Sequence, residues 1–563
     1  MLNFYDFEVF AQDWLVVIIN PVTKTETVIT NDRDKLQDYY DKHKNEIWIG
    51  YNSSRYDQYI LKGILCGFDP KKINDFIIVE GKGGWSFSQA LRKILLINYD
   101  VSTRLDGGLK SLEGFMGNDI RETTVDFRLD RKLTNEEIQE TIMYCRHDVE
   151  QTIEVFLKRK DDFDAHMGLI KAFKLPLHYI SKTKAQLSAI ILNSQRQSYD
   201  DEFEISFPST MKIEKYKEVV EWYKNPENRD YSKSLKIDVA GIPHQFGWGG
   251  IHGAITQYYG EGYFLNMDVA SLYPSLMIVY GLGSRSMKDP KKYEEIYHTR
   301  LKYKAEKNPL QAPLKIVLNG TYGAMKDKNN GLYDPRQCNN VCVYGQLLLL
   351  DLIEKLEPYC QIIQSNTDGI LVKMHRYEDY DLIDDICYEW EKRTGLQLEF
   401  DEYRKVIQKD VNNYVIVDAK GKYKSKGAYV KKLSDLDYDL PVVNKAVINY
   451  LVYGIPVDQT INDCDDLKMF QKIVKVSSKY MYGMYGNKIL TDKCFRVFAS
   501  RDPNDPGIFK RKNETKNPEK FANTPDRCFI ANEDINDKVV DHRLDKSWYI
   551  DLTNERLRQF GVI

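Results

Sequence analysis

Four acidic side chains in the first 150 residues stand at spacings that let them meet. Asp6 and Glu8 flank Phe7 in an apolar, strand-like start, so both project from one face of a strand. Asp57 closes Asn52-Ser53-Ser54-Arg55-Tyr56-Asp57, just beyond a strand-like run ending at Tyr51. Asp148 closes Tyr144-Cys145-Arg146-His147-Asp148 on a well-marked helix. One Asp-x-Glu among 83 acids reads as solvated surface charge. Four converging carboxylates cannot keep their full charge unless metal ions neutralise it, and oxygen ligands of this hardness select Mg²⁺ or Mn²⁺. Two such ions, about 3.5–4 Å apart, activate a water and stabilise the leaving oxygen of a phosphodiester. Tyr144 would then orient the water or the phosphate, whereas His147 reads as a solvated side chain.

A second group of reactive types lies further on. Asp268 ends the strand-like Tyr263-Phe264-Leu265-Asn266-Met267-Asp268 and leads into Val269-Ala270-Ser271-Leu272-Tyr273-Pro274-Ser275, where Pro274 ends the extended run. Arg300 and Lys304 follow, then Pro313 to Gly323. With Pro313 as the first helical residue, Lys315 falls in the first turn, where a cation opposes the helix dipole and invites a ligand. Lys315, Asn319 and Tyr322 then share one helical face, offering a cation, an amide and an aromatic ring. Ile362 to Val372 reads as two apolar strands around a tight polar turn containing Asn366, Asp368 and Gly369, with Asp-Gly as the hairpin signal.

These groups need rigid carriers. Residues 1 to about 185 mix short apolar runs with one convincing helix, an α/β texture. Thr134 and Glu137 predict a capping box at that helix's start, and Ile138, Ile142, Cys145, Val149, Ile153 and Phe156 mark its buried stripe. Tyr144 and Asp148 lie on its flank. A polar linker runs over 186–240, a second α/β region over 241–432, and an accessory domain over 433–563.

The 563 residues are 42% hydrophobic and 29% charged, which excludes disordered, collagenous and membrane classes. The apolar run Trp14 to Ile19 is far short of the ~20 residues that span a bilayer. The first residues, Met1 to Asp6, lack the pattern of a secretory signal, so the expected location is cytoplasmic. Nine scattered cysteines argue for free thiols, with Cys338 and Cys342 structural rather than zinc-binding. Lys+Arg 80 against Asp+Glu 83 leaves a net charge of −3. That balance hides a local basic run, Lys420, Lys422, Lys424, Lys426, Lys431 and Lys432, suited to duplex phosphates.

The ordered set Asp-x-Glu, Asn-x(3)-Tyr-Asp and Tyr-x(3)-Asp resembles the three motifs of proofreading 3′→5′ exonucleases with the DnaQ-like, RNase H-like fold. Gly108-Leu109-Lys110-Ser111-Leu112 resembles the Leu-Lys-x-Leu segment between them. Asp268 to Ser275 matches motif A of family B DNA polymerases, Asp-x-x-Ser-Leu-Tyr-Pro-Ser, at every specified position. Lys315 to Gly323 resembles motif B, with Gly320 in place of Ser, and Arg300 and Lys304 match the upstream Arg-x(3)-Lys. Asn366-Thr367-Asp368-Gly369 resembles motif C, Asp-Thr-Asp-Ser.

The resemblance spans about residues 1–432. It implies an α/β and α+β multidomain architecture: an RNase H-like exonuclease domain (1–185), a linker (186–240), palm (241–285 and 326–432), fingers (286–325) and, by position, thumb (433–563). It implies metal ligation by Asp268, Asp368 and the Val269 backbone, and by Asp6, Glu8, Asp57 and Asp148 at the exonuclease site, with two Mg²⁺ (or Mn²⁺) per site. Nucleotide contacts would come from Arg300, Lys304, Lys315, Asn319, Ser271, Leu272 and Tyr273, the last excluding a 2′-hydroxyl. DNA contacts would come from Asn52, from Gly249 and Gly250 of a loop loosely similar to a template-binding motif, from Tyr414, where Asn412 replaces a family Lys, and from Lys424 and Lys426.

The implied partners are primer-template DNA, deoxynucleoside triphosphates and other replication proteins, with no membrane and a monomeric state. The first exonuclease acid at residue 6 leaves no room for an N-terminal domain. Intervals of 47 residues from Asp268 to Lys315 and 53 from Lys315 to Asp368 leave none for the insertions of protein-primed relatives. The resemblance therefore narrows to a compact bacteriophage-type replicative polymerase using an ordinary primer in the host cytoplasm. Asn366 and Asn412 keep one alternative open, an exonuclease whose polymerase half only binds primer-template.

Overall fold

The computed structural model describes residues 1–563. The fold is mixed α/β, and the chain forms two compact units. The first comprises Met1–Lys182, Leu433–Val442 and Asn462–Tyr549, and the second Thr183–Lys432, Val443–Ile461 and Ile550–Ile563. The stretch 433–563, expected as one domain, is thus divided between the two. Its short alternating runs fix local strands but say nothing about which distant segment they pack on.

In the first unit, β1 (Leu2–Val9), β2 (Trp14–Asn20), β3 (Thr25–Thr30), β4 (Ile47–Gly50) and β5 (Asn98–Asp100) form one sheet in the order β3-β2-β1-β4-β5. β1 is its centre, antiparallel to β2 with Asp6 opposite Val17 and Glu8 opposite Leu15, and parallel to β4. Helices cover both faces, so β1 and β2 are buried along nearly their whole length, Asn3, Asp6 and Glu8 being the polar residues of β1. On one face α1 (Asp57–Leu65) packs Ile60, Leu61 and Ile64 against Tyr5, Phe7 and Trp48. A short helix, α2 (Leu109–Met116), and the long α3 (Asn135–Lys158) lie on the other, where Leu112, Cys145, Val149 and Phe156 pack with Phe4, Val17 and Ile49. Asp6 and Glu8 alternate with the α1-facing Tyr5 and Phe7, so they project toward α3.

The expected capping box is present. The Thr134 side chain accepts from the Glu137 amide, and the Glu137 carboxylate accepts from the Thr134 amide at 2.8 Å. Of the expected stripe, Cys145, Val149 and Phe156 are fully buried, and Ile138, Ile142 and Ile153 pack at its margins.

The second unit is built on one nine-stranded sheet: β6 (Ser234–Val239), β7 (Ile242–Gly247), β8 (His252–Ala254), β9 (Tyr258–Val269), β10 (Gln361–Asn366), β11 (Gly369–Met374), β12 (Leu398–Asp410), β13 (Asn413–Val417) and β14 (Tyr423–Lys426). Its order is β14-β13-β12-β9-β11-β10-β8-β7-β6. The long β9 is central, paired antiparallel with β11 and β12. Four helices matter for the site: α4 (Leu272–Val279), α5 (Pro290–Ala305), α6 (Gln311–Met325) and α7 (Pro335–Leu356), the last buried almost throughout.

Two local expectations shift here. The β10–β11 hairpin closes one residue before Asp-Gly: Asn366 faces Gly369, so Thr367 and Asp368 are the turn. Gly369 is needed as a strand residue opposite Asp268, where a Cβ would come within 1.9 Å of the Asp268 Oδ1. Pro313 is the third residue of α6, not the first, which is harmless because the leading amides of a helix have no intrahelical acceptor. Lys315 therefore stands in the second turn, and the dipole does not bear on it.

The last strands belong to the first unit. β15 (Lys472–Lys475), β18 (Cys494–Ala499) and β21 (Cys528–Ile530) form a three-stranded sheet in the order β15-β18-β21; β16 (Tyr482–Tyr485), β17 (Lys488–Leu490), β19 (Ile508–Arg511) and β20 (Glu519–Lys520) form a second in the order β17-β16-β19-β20. No helix is long and apolar enough to cross a membrane.

Thr134→Ala removes the acceptor that starts α3 and should cost about 1 kcal/mol, while Thr134→Ser should stay within about 0.5 kcal/mol of the parent, both read by urea unfolding. Equal stability of all three would show that tertiary packing alone sets the helix start.

Two candidate active sites

The first site lies where β1, α1 and α3 meet. Asp57 opens α1, and its Oδ1 accepts the amide of Phe7 on β1 at 3.1 Å, which ties the third acid to the strand carrying the first two. Asp148 projects from α3 and is buried. Burial, then Asp57, Glu8 and Asp148, holds the Asp6 carboxyl well above the usual range. Glu8 rises through burial, Asp148 and Asp57. Burial raises Asp57 to about 7 and Asp148 to about 6. All four expected acids are thus brought into one another's fields at a point of low water content.

Ligand atoms of Asp6, Glu8 and Cys145 lie within 4.8 Å of one another. Burial raises the Cys145 thiol far above its ordinary value, and it donates to the Asp6 carbonyl at 3.3 Å, so it acts as a donor rather than a thiolate ligand. Carboxylate oxygens with mutually raised pKa values are the donor set of a hard divalent cation, and these residues fit Mg²⁺ or Mn²⁺.

One cation is already there. The Lys110 ammonium on α2 reaches Asp148 Oδ1 at 2.5 Å and Glu113 Oε1 at 3.0 Å, and lies 4.7 Å from the centre of the Tyr144 ring. Burial alone would lower its pKa, but the Asp148 and Glu113 carboxylates raise it overall. Tyr144 is therefore beside the carboxylates, as expected, and burial and their charge keep its hydroxyl protonated. His147 is corrected: it is half-buried, with Nε2 3.7 Å from the buried Glu113 carboxylate. Its place one residue before Asp148 turns it toward α2, which the helix pattern alone does not reveal. Asn52 is exposed in a left-handed backbone conformation, its amide held by Asp100 Oδ1 at 2.9 Å.

The second site sits at the end of β9. The Val269 amide donates to the Asp368 carbonyl at 2.7 Å, locking the β10–β11 turn to the strand that carries Asp268. The Asp268 carboxylate accepts from Asn266 Nδ2 at 2.7 Å, and burial and then Asp368 raise its pKa to about 6. Asp368, Val269, Ser271, Leu272, Tyr273, Arg300, Lys304, Lys315, Asn319 and Tyr322 line one cavity of about 560 Å³. Every expected nucleotide-binding residue is on its wall, while Asp268 stands just behind, against Gly369.

Ser271 adopts φ 50°, a left-handed turn that swings the chain from β9 into α4. Its hydroxyl accepts from Arg300 at 3.3 Å, and the Arg300 Nε is a buried donor without an acceptor, as a site for an anion requires. Lys304 pairs with Glu399 at 3.3 Å. The Tyr273 and Tyr322 rings stack at 4.0 Å, and the Tyr322 hydroxyl meets Cys342 Sγ at 2.6 Å. Cys342 and Glu399 do not show as site residues in the sequence because one acts from a separate helix and the other from a neighbouring strand, whereas Asn266 shares a strand face with Asp268 two residues on, an alternation the sequence does display.

The expected DNA contacts lie outside the cavity wall. Tyr414 is half-buried on β13 and close enough to Asp268 and Asp368 for their charges, after burial, to raise its hydroxyl pKa. Lys426 faces Tyr414 across the β13–β14 pair and is exposed, and Lys424 pairs with Asp401 at 2.8 Å. Gly249 is open, whereas a Cβ on Gly250 would stand 2.6 Å from Thr367 Oγ1 in the Asp368 turn. Asn366 accepts the Thr367 amide at 3.0 Å through its carbonyl oxygen and so shapes the turn.

No protein-family model matches the chain. DNA polymerase 1 of Saccharolobus solfataricus is 25% identical over 303 residues, covering 45% of this chain and 33% of that protein. DNA polymerase 1 of Sulfurisphaera ohwakuensis is 25% identical over 201 residues, 34% of this chain and 21% of that protein. DNA polymerase 1 of Aeropyrum pernix is 23% identical over 224 residues, 32% and 23% respectively. The chain thus matches between a fifth and a third of the length of these relatives. Among solved structures, the family B DNA polymerase from the hyperthermophilic archaeon Pyrobaculum calidifontis matches with 14% identity and a TM-score of 0.42, over all of this chain and 78% of that one.

A carboxyl whose pKa rises on folding costs stability once pH exceeds its unfolded value, and the cost is complete above the folded value. In chelator, Asp57→Asn, which keeps the acceptor for Phe7, should therefore melt higher than the parent, with the gap opening from about pH 4 and levelling near pH 7. At least ~2–4 °C is expected, the shift of ~1 kcal/mol in a unit of this size, together with a smaller stabilisation by added Mn²⁺. A lower melting temperature in chelator would show that burying the Asp57 charge carries no net cost.

Proposed function

We propose that the chain is a DNA-directed DNA polymerase of the family B type with a 3′→5′ proofreading exonuclease, extension belonging to the second unit and hydrolysis to the first. The observation that carries this reading is the single cavity joining Asp368 to Arg300, Lys315, Asn319 and the stacked Tyr273–Tyr322 pair. The sequence similarity to DNA polymerases supports it.

Mg²⁺ or Mn²⁺, held by Asp268, Asp368 and the Val269 backbone in one unit and by Asp6, Glu8, Asp57 and Asp148 in the other, would supply Lewis-acid neutralisation of phosphate charge and activation of the attacking oxygen. The protein's own groups do the remainder. Arg300, Lys315 and Lys304, the last on leaving Glu399, bind triphosphate oxygens and offset the charge that develops on them. Ser271, Leu272 and Asn319 fix the nucleotide's place on the wall. Tyr273, braced by Tyr322, fills the space a 2′-hydroxyl would enter, so the substrate is a deoxynucleotide. Asn366 keeps an oxygen where motif C has a carboxylate and removes one charge.

Primer-template would be held by Lys424, Lys426, Tyr414 and the Gly249-Gly250 loop, chiefly through phosphates. In the first unit Tyr144 and Lys110 orient the scissile phosphate among the carboxylates, and Asn52 receives the strand. The motif intervals fit a compact bacteriophage-type enzyme that works as a monomer in host cytoplasm, alongside other replication proteins, on an ordinary primer.

A labelled primer-template with Mg²⁺, with and without deoxynucleotides, tests both activities. Asp368→Asn should lose extension by at least ~10³-fold while still degrading 3′ ends, and Asp148→Asn should do the reverse. Gly250→Ala should slow extension by ~tenfold or more by displacing the Thr367-Asp368 turn. Failure of the parent to extend while it degrades primers would leave the second unit a DNA-binding module only.

A further inference from the structure

The helix that delivers Lys110 is held from far along the chain. α2 has eight residues, fewer than the ~12–15 that a helix needs to persist alone. Its last-turn carbonyls need partners, and the C-terminal segment supplies them. Lys468 Nζ donates to Met116 O at 2.6 Å and Gln471 Nε2 to Phe115 O at 3.1 Å. Arg496 Nη2 donates to Gly114 O at 3.3 Å and to Asn118 O at 2.6 Å. The other end is tied as well, since Lys475 Nζ donates to Gly107 O.

Arg496 is fully buried at 0% exposure, and all five of its N–H groups are used. Besides the two above, Nε reaches Gln471 Oε1 at 3.1 Å, and Nη1 reaches Ala531 O at 3.2 Å and Glu533 O at 2.6 Å. Not one of these five acceptors is a carboxylate. A buried guanidinium held only by neutral oxygens is costly to keep, and a geometry in which every donor is matched points to a positional task. The fit against α2 is equally close. A Cβ on Gly114 would lie 2.8 Å from Ile473 Cδ1, so glycine there lets β15 lie directly on the helix. On α2's other side Lys110 meets Asp148 and Glu113.

We propose that segment 468–496, through Arg496, is a working part of the hydrolytic site: it sets the position of α2 and thereby of the Lys110 ammonium among the metal-binding carboxylates. Arg496 is a positioning residue. The inference rests on the exonuclease reading of the first unit.

The test uses the full chain and measures single-turnover degradation of single-stranded 3′ ends beside primer extension. Arg496→Gln should slow degradation by about tenfold or more with the KM for the DNA end and the extension rate each within about twofold of the parent. Combined with Lys110→Ala, it should add nothing to the loss caused by Lys110→Ala alone, because both act through one ammonium. Gly114→Ala, which pushes α2 off Ile473 and leaves Arg496 intact, should also slow degradation, and Ile473→Val in the same chain, which removes the 2.8 Å contact but not those at 3.1 and 3.2 Å, should restore part of it; this pair decides the matter if Arg496→Gln does not fold. Additive losses, equal loss of both activities in Arg496→Gln and Gly114→Ala, or full degradation in Gly114→Ala would overturn the proposal. A parent that degrades no 3′ ends refutes the exonuclease reading and this proposal with it, whereas a degrading parent with indifferent variants refutes only the positioning role.

Discussion

Like charges must be held a few ångströms apart in places with little water, and both sites depend on meeting that condition. Two carboxylates in a medium of low polarity repel strongly and would separate or take up protons if their carriers could yield. The carriers do not yield. Asp6 and Glu8 stand on a strand paired with β2 along their whole stretch and with β4 just before it, and Asp57 is tied to that same strand through the Phe7 amide. In the second unit the Asp368 turn is pinned to β9 by the Val269 amide, and β9 is the centre of nine strands. Held in place, the carboxyls answer burial first and mutual repulsion second with raised pKa values rather than with motion.

The two units balance that charge differently. In the first, a resident ammonium, that of Lys110, sits in contact with Asp148. In the second, Arg300 and Lys315 stand on the cavity wall with no ion pair to an acid, and only Lys304 is engaged, with Glu399. The first arrangement surrounds a small anionic cluster. The second leaves two cations on the cavity wall without an acidic partner. A net charge of −3 for the chain averages over both and over the lysines of β14.

What could be seen in the sequence was whatever depends on near neighbours. The Thr134 capping box, the α3 stripe and the common face of Lys315, Asn319 and Tyr322 follow from helical spacing, and each is present. Errors arose where a residue's setting is decided across the fold. Pro313 does not start its helix, and the hairpin turn is Thr367-Asp368 because Gly369 is required opposite Asp268. His147 is drawn to Glu113 on another helix, and Cys342 reaches Tyr322 from α7. Nothing in spacing marks these. The most distant case is the segment 462–549, whose alternating aromatics and lysines give no sign that it packs with the first 182 residues.

That distance has a physical consequence for α2. Its N-cap is Gly108, which offers no side-chain acceptor, and no acid stands in the first turn. Lys110 is the second helical residue, where the positive end of the helix dipole opposes a cation. The cation that meets Asp148 therefore weakens the helix that carries it. The opposite end compensates: Lys468 and Arg496 place two cations on the last carbonyls, where the dipole favours them. These partners lie 352 and 382 residues further along the chain. Closing a loop of that length costs only a few kcal/mol more than closing a short one, since the entropy grows with the logarithm of length. A helix made unfavourable by its own first-turn cation can thus be secured by a segment formed much later in the sequence, and the boundaries of the carboxylate cluster's support need not follow the boundaries of its motifs.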